Sequence, residues 1–200
     1  NVRVESNTNG ADTLPGFTYN PVPPVTNPKW DNIGPVGFSQ NRAYFVNAAC
    51  GVNNIPVVAF TDSLSGKAIA MQFISNKWQK LNSAISKGKT TNLQLVLDNT
   101  DKPVVAYIDS AKNGFITVRK YDGIGWSNIG PTGFTSSFGV NGNAFSMAID
   151  NANTPYILSM TQTYHAITVF KFNGTQWDTV GASYFARSSN GFANIAIDKI

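Results

Sequence analysis

The segment Lys171-Phe172-Asn173-Gly174-Thr175-Gln176-Trp177-Asp178-Thr179-Val180-Gly181 reads as a strand, an Asn-Gly turn and a second strand that opens on tryptophan. It recurs as Lys120-Tyr121-Asp122-Gly123-Ile124-Gly125-Trp126-Ser127-Asn128-Ile129-Gly130. Its second half appears again as Lys29-Trp30-Asp31-Asn32-Ile33-Gly34, and a degraded copy spans Phe73-Ile74-Ser75-Asn76-Lys77-Trp78. The four tryptophans, Trp30, Trp78, Trp126 and Trp177, are therefore 48, 48 and 51 residues apart. A fixed period in that range requires a repeated supersecondary unit, stacked or arranged radially, and not one irregular domain.

Each unit from Trp30 onward offers four short strands. The first alternates apolar and polar side chains, as in Leu93-Gln94-Leu95-Val96-Leu97-Asp98, Phe145-Ser146-Met147-Ala148-Ile149-Asp150 and Ala193-Asn194-Ile195-Ala196-Ile197-Asp198. The second opens on proline after a polar turn, at Pro56, Pro103 and Pro155. The third, Ile116 to Tyr121 or Ile167 to Phe172, runs into Asp-Gly or Asn-Gly, for which a two-residue type I′ hairpin is the expected geometry. The Trp strand is the fourth. Four antiparallel strands per repeat with no amphipathic helical stretch is the content of a propeller blade. The expected fold is an all-β propeller with about 48 residues per blade, three full blades (43–82, 92–130 and 144–181) and part of a fourth from Gly191 to Ile200.

Residues 1–28 hold Pro15, Pro21, Pro23, Pro24 and Pro28. Proline cannot donate to a strand ladder, so an extended leader is expected there, with short strands at most near Val2–Val4 or Phe17–Tyr19. The repeats then occupy 29–200. Three blades do not close a ring, and the leader fits the repeat phase poorly, which favours a longer parent array over closure by the leader. The start at Asn1, without Met or signal peptide, points the same way, to a processed or excerpted segment.

With 42% hydrophobic and 13% charged residues the chain has material for a sizeable core. The net charge of +4 comes from few acids, and no Lys/Arg run exists, so a nucleic-acid partner is not expected. The single cysteine excludes an internal disulfide, and no apolar run is long enough to span a bilayer.

The run Gly133-Phe134-Thr135, then Ala148-Ile149-Asp150, then Thr154-Pro155-Tyr156, then Lys171 to Gly181 resembles the tandem propeller repeats of large secreted and surface proteins of Bacteroidetes-type bacteria. The resemblance covers residues 29 to 198 and departs at Gly51, in the Asp position, and at Asn82, in the Gly position. It implies the propeller fold and an exported or cell-surface setting. That family carries no fixed activity and lends no catalytic residues.

Function is then expected at one face. In a propeller the inter-blade loops share a face with the turns between second and third strands. Those loops carry Phe38, Phe134, Phe138, Tyr184 and Phe185 among Ser, Asn and Gly, with Arg42, Lys87, Lys89 and Arg187. Aromatic faces beside amide and hydroxyl groups suit sugar rings or an extended peptide. Phe38 and Phe134 recur with the repeat and read as wedges between blades. Phe138 and Tyr184 lie off the pattern and, with Arg42, Arg187, Asp62 and Asp109, are the candidate ligand contacts. Asp62 and Asp109 end the second strand in successive blades; they read as a carboxylate pair for glycoside hydrolysis or, more simply, as repeat-derived turn acids. Asp98, Asn99 and Asp101, with Asp150, Asn151 and Asn153, offer oxygens for calcium, yet Asx residues are also what tight turns use. His165 reads as a solvated turn histidine, Cys50 as a buried strand residue in register with Leu97, and the Asn173 sequon as part of a hairpin.

No metal, cofactor or catalytic set is expected. The leading expectation is a non-enzymatic recognition, adhesion or structural module that binds glycan or protein at the loop face. The alternatives are a glycoside-active propeller enzyme and a structural subunit of a surface filament or layer, with self-assembly.

Overall fold

The computed structural model describes residues 30–135, 145–161, 165–187 and 193–198. The leader, with its two short-strand expectations, and Phe138 lie outside the described residues. The chain divides into two units, Asn1–Asn32 and Ile33–Ile200. In the first, Trp30 is fully exposed.

The second unit holds three four-stranded antiparallel meanders. The first blade is β1 (Ala43–Cys50), β2 (Pro56–Asp62), β3 (Ala68–Ile74) and β4 (Lys77–Lys80). The second is β5 (Thr90–Leu97), β6 (Pro103–Asp109), β7 (Phe115–Tyr121) and β8 (Trp126–Asn128). The third is β9 (Phe145–Ile149), β10 (Pro155–Met160), β11 (Ala166–Phe172) and β12 (Trp177–Thr179), with the short β13 (Ala186–Arg187) added on β11. Each proline that opens a second strand pairs with the last residue of the first: Pro56 with Cys50, Pro103 with Leu97 and Pro155 with Ile149. Residues 193–198, expected as the first strand of a fourth blade, run beside β9, where the Ile195 amide donates to Ser146 Oγ at 3.3 Å. The described sheets do not close into a ring.

Each blade buries an apolar face against the next. Val57, Ala59, Ala68 and Ala70 of the first blade pack on Leu93, Leu95, Val105 and Tyr107 of the second. Val104, Ala106, Ile116 and Val118 of the second pack on Phe145, Met147, Ile149 and Ile157 of the third. Alternation puts opposite faces of one strand in different interfaces, so β6 is buried along its whole length.

The tryptophans tie these interfaces together. Trp78 Nε1 donates to the Ile33 carbonyl at 2.9 Å, Trp126 Nε1 to Leu81 at 3.0 Å and Trp177 Nε1 to Ile129 at 3.1 Å. Every acceptor lies three residues after the preceding repeat tryptophan. The Trp-x-x-Ile motif thus encodes both a donor toward the blade before and an acceptor toward the blade after. The repeated Phe completes the socket: Phe38 stacks on Trp78 at 4.3 Å and Phe134 on Trp177 at 4.4 Å. Between the first and second blades Ile85, fully buried, takes that place beside Trp126.

The backbone turns left-handed just after each of these acceptors, at Gly34, Asn82 and Gly130 (φ 74°, 59° and 70°), and again at Gly181 (φ 71°). A Cβ on Gly34 or Gly130 would stand 2.7 or 2.8 Å from the ring of Phe73 or Phe172. Asn82, the departure from the pattern, is the non-Gly type that best tolerates this φ, and its amide donates to the Ile124 carbonyl of the second blade.

Gly51, the other departure, has a different cause. In the later blades Asp98 and Asp150 cap their own turns, accepting from Thr100, Lys102, Ala152 and Thr154 amides. In the first blade Asp101 reaches across from the second and accepts from Val52 N at 3.1 Å and Asn53 N at 2.9 Å. A Cβ at Gly51 would sit 1.8 Å from Asp101 Oδ1. Gly51→Ala is expected to cost about 1–3 kcal/mol in urea denaturation, as for other overpacked sites. The double variant with Asp101→Ala is expected to lose less than the sum of the two single changes, because the clash and the bonds share one carboxylate.

Three expectations are corrected. The Asp-Gly and Asn-Gly turns are not two-residue type I′ hairpins. Residues 173–176 form a four-residue loop closed by Asn173 N to the Gln176 carbonyl, and Asn173 Oδ1 accepts from the Thr175 and Gln176 amides. Asp122 does the same for Ile124 and Gly125. Only the glycine has positive φ there, whereas the degraded copy has Ser75 and Asn76 both left-handed (φ 51° and 61°) in a two-residue link from β3 to β4. The Asx side chain outcompetes the tighter turn by satisfying two amides at once. Second, Cys50 is in the predicted register but exposed, because it lies on the face of β1 turned away from the second blade. Third, Tyr184 is on the repeat pattern, for a reason given below.

Candidate loop-face binding site

The meander order places the inter-blade loops, the starts of the first strands and the β2–β3, β6–β7 and β10–β11 turns at one face. Asp62 and Asp109 are both there and both buried. Asp62 Oδ1 accepts from Asn41 Nδ2 at 2.8 Å, and Oδ2 accepts from the Ser65 amide at 2.8 Å and Ser65 Oγ at 2.7 Å. These bonds, led by the Ser65 amide, hold its carboxyl below the usual range, the opposite of a general acid. Asp109 accepts from the Ala111 amide at 3.0 Å and from Thr117 Oγ1 at 3.2 Å, and so caps the 3-10 turn Ser110–Lys112. Each carboxylate is engaged in holding its own turn.

Arg42 is exposed just before β1 and its carbonyl accepts from Ser63 N at 2.9 Å, linking loop to turn. Arg187 is exposed in β13, paired opposite Ala166. His165, half-buried at φ 47°, immediately precedes β11. Among the described residues no three His, Cys, Asp or Glu side chains group as a metal site. The Asp98 and Asp150 carboxylates are occupied by turn amides, with Lys120 Nζ 2.6 Å from Asp98 Oδ2.

Two aromatic side chains stand out at this face. Tyr184 occupies the place of Gly133: its amide donates to Thr168 Oγ1 at 3.1 Å, as that of Gly133 does to Thr117 Oγ1 at 3.2 Å. It keeps the left-handed backbone, φ 58° against 64° for Gly133 and 69° for Gly37, and it is 56% exposed. Phe45, which sequence reasoning passed over, is the third residue of β1 as Asn92 is of β5. Both sit in the bulge that interrupts the register with the second strand, at φ 50° and 53°. Asparagine tolerates that conformation; a bulky aromatic in it is strained by about 1–3 kcal/mol. Phe45 is 41% exposed and Tyr44 beside it 51% exposed. The signal in the sequence was Tyr44-Phe45-Val46, three bulky residues where the other first strands alternate. It gained meaning only once the bulge was known.

At the opposite face the first strands surround a cavity of about 750 Å³ lined by Cys50, Leu97, Ile149 and Ile197 with Gly51 and Asp98. Its walls are largely apolar, and Asp98 is bound as described.

No family model matches the chain, and none of the curated proteins does. Solved structures do. A fucose lectin from Kordia zhangzhouensis in complex with methyl-fucoside aligns at TM-score 0.48 and 12% identity, over 69% of this chain and 99% of that one. A mutant Aleuria aurantia lectin in complex with Fucalpha1-6GlcNAc aligns at TM-score 0.50 and 17% identity, over 70% of this chain and 48% of that one. Fructan 1-exohydrolase IIa from Cichorium intybus aligns at TM-score 0.48 and 9% identity, over 72% of this chain and 32% of that one. The likeness to the Aleuria aurantia lectin bears on fold alone, and with the antiparallel four-stranded sheets it makes the fold a β-propeller whose described sheets are not closed.

Proposed function

We propose that this propeller module is a non-enzymatic, glycan-binding unit of an exported or cell-surface protein, with its ligand on the loop face. The observation that carries the reading is the pair Phe45 and Tyr184. Both are exposed aromatics in a left-handed backbone, at places where sister repeats carry Asn or Gly. Backbone strain that folding alone would remove persists where it serves a ligand. A flat aromatic face stacks on the apolar face of a sugar ring, and the Arg42 guanidinium three residues from Phe45 supplies directional donors to hydroxyls. The structural likeness to fucose lectins supports a sugar over a peptide. The likeness to a fructan exohydrolase leaves a hydrolytic reading to be tested, and the saturated, low-pKa carboxylate of Asp62 speaks against it. No helix among the described residues is long and apolar enough to cross a membrane.

The test separates ligand binding from packing by the sign of the stability change. Phe45→Asn and Tyr184→Gly each install what a sister repeat carries. Both are expected to raise stability by about 1 kcal/mol, a melting shift of roughly 2–4 °C for a chain of this size. Each is expected to weaken binding to the glycan selected on an array more than tenfold. Unchanged affinity in both variants would overturn the reading, as would turnover of that glycan by the wild-type protein.

A further inference from the structure

Charge is segregated between the two faces of the propeller unit. Asp98, Asp101, Asp122, Asp150 and Asp178 stand in or beside the turns opposite the loop face, where the β5–β6, β7–β8, β9–β10 and β11–β12 connections lie. At the loop face the described acids of the first two blades are Asp62 and Asp109, both buried and with their oxygens bonded to neighbouring groups. The same two turns and the loop between them carry Lys67, Lys87, Lys89 and Lys112. Lys87, Lys89 and Lys112 are exposed and Lys67 is half-buried, and among the described residues no carboxylate pairs with any of the four.

Contacts between segments far apart in sequence bring these lysines together. The link from β4 to β5 is anchored by Ser86, whose Oγ accepts from the Ala68 amide at 3.0 Å and donates to the Gly88 carbonyl at 2.7 Å. The Thr90 amide donates to the Gly66 carbonyl at 2.8 Å and the Ser110 amide to the Lys89 carbonyl at 3.1 Å, so the link is stitched to a turn on either side. Glycine permits the close approach: a Cβ at Gly66 would stand 2.8 Å from Lys89 Cγ, and one at Gly88 3.1 Å from Ala111 Cβ. The stem of Lys89 thus runs over the turn that ends at Lys67, and Gly88 lies against the turn that holds Lys112. Ser63, in the Lys67 turn, donates its amide to the Arg42 carbonyl at 2.9 Å, which makes the cluster continuous with the start of β1, where Phe45 stands.

We infer that this cluster binds an anionic polysaccharide, whose carboxylate or sulfate groups meet Lys67, Lys87, Lys89 and Lys112; the inference rests on the glycan reading and gives the loop-face site its substrate class. Ammonium groups held on anchored loops repel one another and focus a positive potential that an anionic chain relieves. Packed sheets lie about 10 Å apart, so a cluster shared by two blades is wider than one carboxylate or sulfate and fits a chain that bears several. A lysine ammonium is a point charge with three rotatable donors, suited to anionic oxygens of varied geometry. Because the link is fixed by backbone bonds, little ordering of the loops opposes binding.

Equilibrium binding to polygalacturonate, which carries only carboxylates, to dextran sulfate, which carries only sulfates, to neutral dextran and to duplex DNA tests it. The wild-type protein is expected to bind one or both anionic polysaccharides, which identifies the recognised group, and to ignore dextran. Its affinity is expected to fall more than tenfold as added salt shortens the screening length from about 10 Å to about 3 Å. The double variants Lys87→Gln with Lys89→Gln and Lys67→Gln with Lys112→Gln, with melting temperatures confirming that each folds, are each expected to bind more than tenfold more weakly. Failure to bind either anionic polysaccharide, or wild-type affinity in both double variants, overturns the inference. Duplex DNA held as tightly as the polysaccharides also overturns it, since the surface would then select charge and not sugar. Phe45→Asn and Tyr184→Gly separate the two readings. If they leave binding of the anionic polymer unchanged while the lysine variants abolish it, the aromatic contacts fail and the cationic surface stands. If a neutral glycan depends on the aromatics and not on the lysines, the cationic surface fails and the aromatic contacts stand.

Discussion

Trp126→Ala is expected to destabilise the protein by about 3–5 kcal/mol in equilibrium denaturation, the range for a large buried aromatic. Trp126 is half-buried against the Val57–Tyr107 cluster, lies 5.3 Å from the Tyr121 ring and donates to Leu81 across the blade interface. Its own carbonyl accepts from the Arg119 guanidinium, which also binds the Ile85 carbonyl. Truncation therefore removes apolar contact, strands an acceptor and loosens the neighbouring arginine together. Trp126→Phe retains most of the contact and loses the indole donor, so it should cost only about 1–2 kcal/mol. A loss near zero for the alanine variant would remove the tryptophans from the role of inter-blade staples.

The second large effect is expected at Asp98. Its side chain is 1% exposed; Oδ1 accepts from the Thr100 and Lys102 amides and from Thr100 Oγ1, and Oδ2 meets Lys120. Burial by itself raises its pKa, but Lys120, the Lys102 amide and Thr100 together outweigh burial and hold the carboxyl below the ordinary value. Asp98→Ala leaves these donors without their acceptor. Loss of one partner of a buried pair costs 3–5 kcal/mol; because the Lys120 side chain is 35% exposed and can turn to water, about 2–3 kcal/mol is expected. The sign of the pH dependence follows from the lowered pKa. The unfolded carboxyl binds its proton at higher pH than the folded one, so the stabilisation is complete above about pH 4 and is lost as pH falls through the folded value. Asp62 and Asp150 shift in the same direction and add to the slope. The melting temperature of the wild-type protein is expected to fall as pH drops below about 4, and that of Asp98→Asn to fall less steeply. Equal slopes would show that Asp98 is not held below its ordinary value.

Much of the fold was legible because local rules and the repeat agreed. Proline opens β2, β6 and β10, alternation marks β5 and β9, Trp126 and Trp177 open fourth strands, and Trp78 lies within one. The loop face was legible as well, since four antiparallel strands leave no other choice. The candidate contacts were legible only in part. Tyr184 reads as an off-pattern aromatic in the sequence, because its equivalence to Gly133 rests on a shared hydrogen bond to a threonine hydroxyl in β7 or β11. Phe45 was missed because a bulge shifts the face of each residue after it, and nothing in the run Ala43 to Cys50 announces where the bulge falls.

By itself, then, the sequence determined the period, the strand content and the residues that recur, since these depend on the pleat, on proline and on neighbours a few positions away. The tertiary structure decided that Gly51 is glycine because Asp101 crosses from the next blade, that Cys50 faces outward, and that two aromatics bear left-handed backbone. Those outcomes rest on contacts between residues about a blade apart, or on the geometry of one bulge. In such places the identity of a residue answers to a neighbour that its local sequence does not contain.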